Sequence, residues 1–145
     1  MKQGMIYVIE DEIRELLDKI SAQMRRNYNH LLQDVNLHVG QDNLLCKLWK
    51  DDGLTQLQLC EHLKCEPPTV TNMVKALEQK GIVYRQRDEK DGRVSRVYLT
   101  HEGRDLEGPV NERWRKQQDK LLAGIVPEER LLLRRLMKKM AENLF

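Results

Sequence analysis

Aromatic residues are scarce: one Phe, two Trp and four Tyr make up 5% of the 145 residues. So few rings leave little for single-stranded bases to stack on, which disfavours a single-strand or RNA binder. The three cysteines, Cys46, Cys60 and Cys65, are an odd number, which argues against a disulfide framework in a chain expected to stay in the cytoplasm. No apolar run approaches the ~18 residues that span a bilayer, and Met1-Lys2-Gln3-Gly4 leads into an acidic amphipathic segment rather than a signal peptide. Net charge is only +2 although 33% of residues are charged, so any affinity for a polyanion has to be carried locally. Also missing are a phosphate-cradling glycine loop, a nucleophile elbow and an Asp/Glu/His constellation, so no catalytic residue and no cofactor are expected.

What is present concentrates between Leu54 and Thr100. A first helix is expected over Leu54–Leu63, with Thr55 as N-cap and Gln58 closing a capping box. Leu54, Leu59, Cys60 and Leu63 share one side of it, and Leu57 fits neither face well. Pro67-Pro68 stops that helix and opens the next, which makes Lys64 to Glu66 the turn. On the second helix Val70, Val74 and Leu77, with Met73 beside them, form a core face, and Thr71, Asn72, Lys75 and Gln79 form a polar one. Thr69 lies where helix amides hold phosphate, and Gly81 closes the helix as a left-handed cap.

After Ile82 the period changes. Val83, Tyr84, Val94, Val97 and Tyr98 favour strands, separated by the charged run Arg87 to Arg93. Arg85, Arg87, Lys90, Arg93 and Arg96 outnumber Asp88, Glu89 and Asp91 there, which suits a loop lying on a phosphate backbone or in a minor groove. Asp91 is placed to brace Arg93. Two helices followed by a strand-loop-strand ribbon form a winged helix-turn-helix, with the second helix expected in the major groove of duplex DNA.

The flanks are helical and apolar. Ile6, Ile9, Ile13, Leu16, Ile20 and Met24 recur at three and four residue steps on a helix running to about Leu32. Thr100 caps a helix from His101 that carries Leu106, Val110, Trp114, Leu121 and Leu122 and continues to Gly124, with a bend at Pro109. Pro127 opens a last helix, in which Leu131, Leu132, Leu133, Leu136, Met137, Met140 and Leu144 exceed one stripe. That excess reads as a dimer interface, which a palindromic DNA site would require.

The runs Leu54-Thr55-Gln56, Thr69-Val70-Thr71, Leu77-Glu78-Gln79-Lys80-Gly81-Ile82-Val83, Asp91-Gly92-Arg93 and Val97-Tyr98-Leu99-Thr100-His101-Glu102-Gly103 resemble the multiple-antibiotic-resistance regulator (MarR) family. The resemblance is close over the central third and extends in pattern to nearly the whole chain. It implies a mainly α fold with a small β-hairpin wing: a winged helix-turn-helix lobe over 41–100 (helix-turn-helix 54–80, wing 82–99), and dimerisation helices over 5–32 and 101–145, in one domain of 1–145. The implied function is a homodimeric transcription factor, usually a repressor of a pseudo-palindromic operator, released by a small molecule or oxidant. The resemblance puts Arg93 in the minor groove with Asp91 as its brace. It also implies a ligand cleft, for which Tyr28, His38, Trp49 and Trp114 are the candidate lining residues. Two departures stand out, Asn72 where the family commonly has arginine and Pro68 where it has serine. Asparagine pairs best with adenine and arginine with guanine, so the operator preference does not carry over.

The expected DNA-contacting set is thus Thr69, Thr71, Asn72, Lys75, Gln79, Arg85, Arg87 and Arg93. Cys60, His62 and Cys65 suggest zinc by spacing alone, but positions 60 and 62 of a helix point apart, and no metal site is expected. The alternatives are a winged helix used as a protein-interaction module, and a thiol-based sensor acting through Cys46 or Cys65. Redox-sensing relatives carry their cysteine in the first helix, where this chain has none.

Overall fold

The computed structural model describes residues 2–145, with side chains from Val8 onward. Met1 and the side chain of Ile6 lie outside the described residues. The elements run α1 (Lys2–Gln33), α2 (Gln41–Lys50), β1 (Leu54–Thr55), α3 (Gln56–Leu63), α4 (Pro67–Gln79), β2 (Val83–Arg87), β3 (Ser95–Leu99), α5 (His101–Asp105), α6 (Glu107–Leu121) and α7 (Pro127–Leu144). The sheet is antiparallel in the order β1-β3-β2.

The helix boundaries follow local chemistry. Thr55 Oγ1 accepts the Gln58 amide at 3.1 Å while Gln58 Oε1 accepts the Thr55 amide at 2.9 Å, a reciprocal box that starts α3. Proline occupies the first positions of α4, where a missing N–H costs nothing. At its other end Gly81 has φ +72°, the Gly81 amide reaches the Glu78 carbonyl and the Ile82 amide reaches that of Leu77, both at 3.0 Å. This is a Schellman turn.

Three expectations need correction. Leu54 begins no helix: it lies on β1 opposite Val97, because the unpaired edge of β3 takes up the short extended stretch before the cap. Arg87 belongs to β2, paired with Ser95, and Val94 to the loop, so the wing loop spans 88–94. The helix after Thr100 is broken at Leu106, and α6 ends at Leu121 rather than at Gly124. Proline at 109 cannot donate to the Asp105 carbonyl and crowds it, which is where α5 stops.

The core lies within the lobe formed by residues 41–100. Leu44, Leu45 and Leu48 of α2, Leu59 of α3, Val70, Val74 and Leu77 of α4, and Val83, Val97 and Leu99 of the sheet are buried together. Leu32 and Val110 extend that core to α1 and α6. Leu57 is exposed. Beyond this lobe apolar surface stays open: Ile9, Ile13, Leu16 and Ile20 of α1 are exposed, and α7 buries none of its residues.

Two glycines are needed for different reasons. Gly81 has open space around a hypothetical Cβ but a positive φ, whereas a Cβ on Gly103 would overlap the Ile82 carbonyl oxygen. We expect Gly81→Ala to cost about 1 kcal/mol. Gly103→Ala, which has to push α5 off the chain at Ile82, should cost more, about 2–3 kcal/mol. Urea unfolding of the two variants checks the order; equal midpoints would contradict it.

Candidate nucleic-acid interface

On α4, Asn72, Lys75 and Gln79 are exposed, and none makes a side-chain hydrogen bond among the described residues. Their donors and acceptors are free for an incoming partner. Thr69 is exposed in the first turn of the same helix. Thr71 differs: its hydroxyl donates to the Pro67 carbonyl at 2.9 Å and accepts the Gln56 amide, so it ties α3 to α4. This hydroxyl holds the angle of the helix pair.

The wing is built from a chain of polar contacts. Arg96 donates from Nη1 to the Gly53 carbonyl at 2.9 Å and from Nε to Asp88 Oδ1 at 3.0 Å. Asp88 Oδ2 accepts the Asp91 amide at 3.2 Å, and Asp91 Oδ1 accepts the Arg93 amide at 3.1 Å. The Arg93 guanidinium lies 3.5 Å from that same Asp91 oxygen while 95% of its side chain is exposed. The loop thus presents a nearly free guanidinium on a backbone that is already ordered. Arg85 is partly engaged, pairing with Glu78 at 2.8 Å and so joining β2 to α4. Arg85, Arg87 and Arg93 line one open groove with Gln86, Gly92 and Ser95.

Sequence reading missed the residues that hold this surface in place. Arg96 appears in the sequence as one more wing cation, yet it is the tie between β1, β3 and the loop. Asp52 accepts the Gly53 and Leu99 amides on Oδ1 and Arg104 on Oδ2 at 2.6 Å, locking the end of α2 to β3 and α5. An acid directly before a strand, opposite an arginine 52 positions on, leaves no local signal.

The proposed ligand residues fall in separate places. Trp114 Nε1 donates to Asp42 Oδ2 at 2.8 Å, and Asp42 is buried at the head of α2. Tyr28 is half-buried nearby, and burial together with the Asp42 carboxylate raises its phenol above the ordinary value. Trp49 sits at the far end of α2, donating to the Gly103 carbonyl at 2.9 Å, and His38 is exposed on the α1–α2 loop. Tyr28 and Trp114 share Asp42; Trp49 and His38 stand apart from them. The three cysteines are free and half-buried. Among the described residues no group of His, Cys, Asp and Glu could hold a metal, and no helix is long and apolar enough to cross a membrane.

The MarR family profile matches residues 39–95. An HTH-type transcriptional regulator of Bacillus subtilis (strain 168), YwoH, is 31% identical over 120 residues, covering 81% of this chain and 87% of its own. The chain belongs to the MarR family. The organic hydroperoxide resistance transcriptional regulator of the same strain is 34% identical over 95 residues, 66% of this MarR-family chain and 65% of that regulator. The match therefore spans just under two thirds of the latter protein's length. Among solved structures, the MepR–DNA complex of S. aureus superposes with a TM-score of 0.84 at 26% identity, covering 90% of this chain and 96% of that one. This MarR-family chain shares the winged-helix fold of that protein.

The bond from Arg96, with the Asp91 amide assisting, holds the Asp88 carboxyl below the ordinary value of about 3.9. A carboxylate with a lowered folded value stabilises the fold fully above the unfolded value, and that contribution fades as pH falls through the folded one. In a carbon NMR titration the Asp88 carboxyl should therefore titrate below about pH 4, with the Arg96 Nε–H following at the same midpoint. In Arg96→Met the midpoint should return toward about 3.9. An unmoved midpoint would assign the shift to something other than Arg96.

Proposed function

We propose that this regulator is a homodimeric repressor that binds a pseudo-palindromic operator and is released by a small molecule. In this reading α4 enters the major groove, where Asn72, Lys75 and Gln79 reach base edges and Thr69 holds phosphate. Arg93 reaches the minor groove from the wing, Asp91 limits its disorder, and Arg85 and Arg87 lie along the phosphates. The observation that carries it is the contrast within one surface. Asp88 and Arg96 of the wing are engaged within the protein, while Arg93 and the outer face of α4 are left open.

The second copy supplies what the fold lacks. Residues 5–32 and 101–145 form the dimerisation part and 41–100 the DNA lobe, within a single unit of 1–145. Leu131, Leu132, Leu136 and Met137 on α7 are exposed, as are Val8, Ile9, Ile13 and Leu16 on α1. Contiguous apolar helix faces of this kind are buried by association. Their charges are complementary along part of their length: Glu10, Asp11, Glu12, Glu15 and Asp18 outnumber Arg14 and Lys19 over residues 10–19 of α1, and Arg130, Arg134, Arg135, Lys138 and Lys139 outnumber Glu128, Glu129 and Glu142 on α7. Two-fold symmetry then sets two recognition helices about one duplex turn apart, and an operator so covered is closed to polymerase. A small molecule entering beside Tyr28 and Trp114 is the proposed release signal.

Selection from random duplexes should enrich an inverted repeat bound by two chains, and no enrichment by ligand-free protein would overturn the reading. On that repeat Arg93→Ala should weaken binding to all sequences and lower the salt slope by about one, while Asn72→Ala should relax one base position by ~1–3 kcal/mol. Leu136→Glu, placed on α7 away from the DNA lobe, should sediment as a folded monomer and lose operator binding together. A dimeric Leu136→Glu would place the interface elsewhere.

A further inference from the structure

Lys80 is the last residue before the Schellman turn of the recognition helix, and its side chain does not face outward as a phosphate ligand would. It is half-buried, and its ammonium donates to the Asn36 carbonyl at 2.6 Å and to Gln41 Oε1 at 3.2 Å. One acceptor lies in the link between α1 and α2 and the other is the first residue of α2. That link is held in one shape. Asn36 sits at φ +58° in a second Schellman turn, the Leu37 amide reaching Leu32 and the Asn36 amide reaching Gln33 at 3.0 Å each. Gln41 Oε1 also accepts the His38 amide at 3.1 Å, and Asn29 Oδ1 accepts the Val39 amide at 3.0 Å. Met73 of α4 lies against Gly40, its sulfur 3.5 Å from where a Cβ would stand.

The next residue ties the same link to the other side of the molecule. Asp42, only 4% exposed, accepts the Gly40 amide at 3.0 Å and the Trp114 indole of α6 at 2.8 Å. Arg113, adjacent to Trp114, donates to the Leu31 carbonyl of α1 at 2.9 Å and pairs with Asp34. The sequence neighbours Gln41 and Asp42 thus hold the recognition helix with one side chain and the dimerisation helices with the other.

We propose that Lys80 is a positioning residue for DNA recognition: it latches the C-terminal end of α4 to the α1–α2 link, and Gln41-Asp42 passes displacements between Trp114 and the recognition helix. The inference rests on the DNA-recognition reading above and adds to it the route by which α1 and α6 act on α4. Burial holds the Lys80 amine below its ordinary value, so its two acceptors replace solvent for a partly desolvated cation. The rigid pieces on either side, α2 and α4, are core helices that shift as bodies rather than bend.

The test uses the full chain and the operator obtained by selection. Lys80→Met should weaken operator binding about tenfold, the scale of one lost charged hydrogen-bond pair. The slope of log affinity against log salt should not change, because no phosphate contact is lost. A phosphate-contacting lysine would lower that slope by about 0.9. Lys80→Arg, which keeps the charge and the donors, should recover most of the affinity. In a Trp49→Phe background Trp114 is the one indole, and its emission should shift on DNA binding while Lys80 is present and stay fixed once Lys80→Met is added. If Trp49→Phe fails to fold, the same comparison is read from both indoles of the otherwise unaltered chain. Unchanged affinity in Lys80→Met, a slope lowered by about 0.9, or an emission shift that survives the substitution each overturns the proposal. Wild-type protein that binds no duplex would instead remove the reading on which it rests.

Discussion

The carbonyl of Ile82 is the point on which three parts of the molecule meet. It accepts the Thr100 amide at 3.0 Å, while the Thr100 hydroxyl, shared between the Gly81 carbonyl at 2.6 Å and the Ile82 carbonyl at 2.9 Å, accepts the Gly103 amide and so starts α5. The recognition helix has just ended in its left-handed turn, the wing begins one residue later, and the helix leading out of the DNA lobe begins at the other side of the same bond. Gly103 has no side chain to separate them, and its own carbonyl accepts the Trp49 indole, which brings in α2 as well. With no slack at this junction, α4 and the wing hold a constant relation to α2 and α5. The proposed reading of a duplex in two grooves at once requires that constancy.

The rest of the interface depends on how charge is distributed. A chain of net charge +2 does not attract polyanions through its average field. Its cations are instead sorted by partner. Arg96, Arg104 and Arg113 are engaged internally by Asp88, Asp52 and Asp34, whereas Arg93 stays in solvent with a single carboxylate beside it. Lys80, the C-cap of α4, belongs with the internal group. Cations of one composition therefore divide into those that shape the surface and those that the surface presents.

Much of this was legible from residue order because its causes are local. Thr55 with Gln58, Pro67 and Gly81 specify the two helices and their limits through bonds spanning three to five residues, and these appear as expected. The core face of α4 was legible from its spacing, and so was the apolar excess of the terminal helices. What residue order did not reveal depended on distant chain. Leu54 looks like the start of a helix until Val97, 43 positions on, offers it a strand to pair with. The hydroxyl of Thr71 looks free on the polar face of α4, yet it is bonded to Gln56 and Pro67. The candidate cleft residues Tyr28, His38, Trp49 and Trp114 are spread by the fold: α2 separates Trp114 from Trp49 along its length, with Asp42 holding the first and Gly103 the second.

The two helices of the helix-turn-helix, their caps, the polar face of α4, the braced arginine of the wing and membership of the MarR family were thus determined by the sequence alone. Each rests on periodicity or on side chains reaching a few residues along the backbone. Tertiary structure decided which polar groups are left over. Whether Arg93 is free and Arg96 is not, or whether Lys80 faces a phosphate or the α1–α2 link, depends on acceptors brought from 39 to 44 residues away. The backbone encodes those meetings only through the whole fold, since a charge in sequence carries no mark of the partner that will neutralise it.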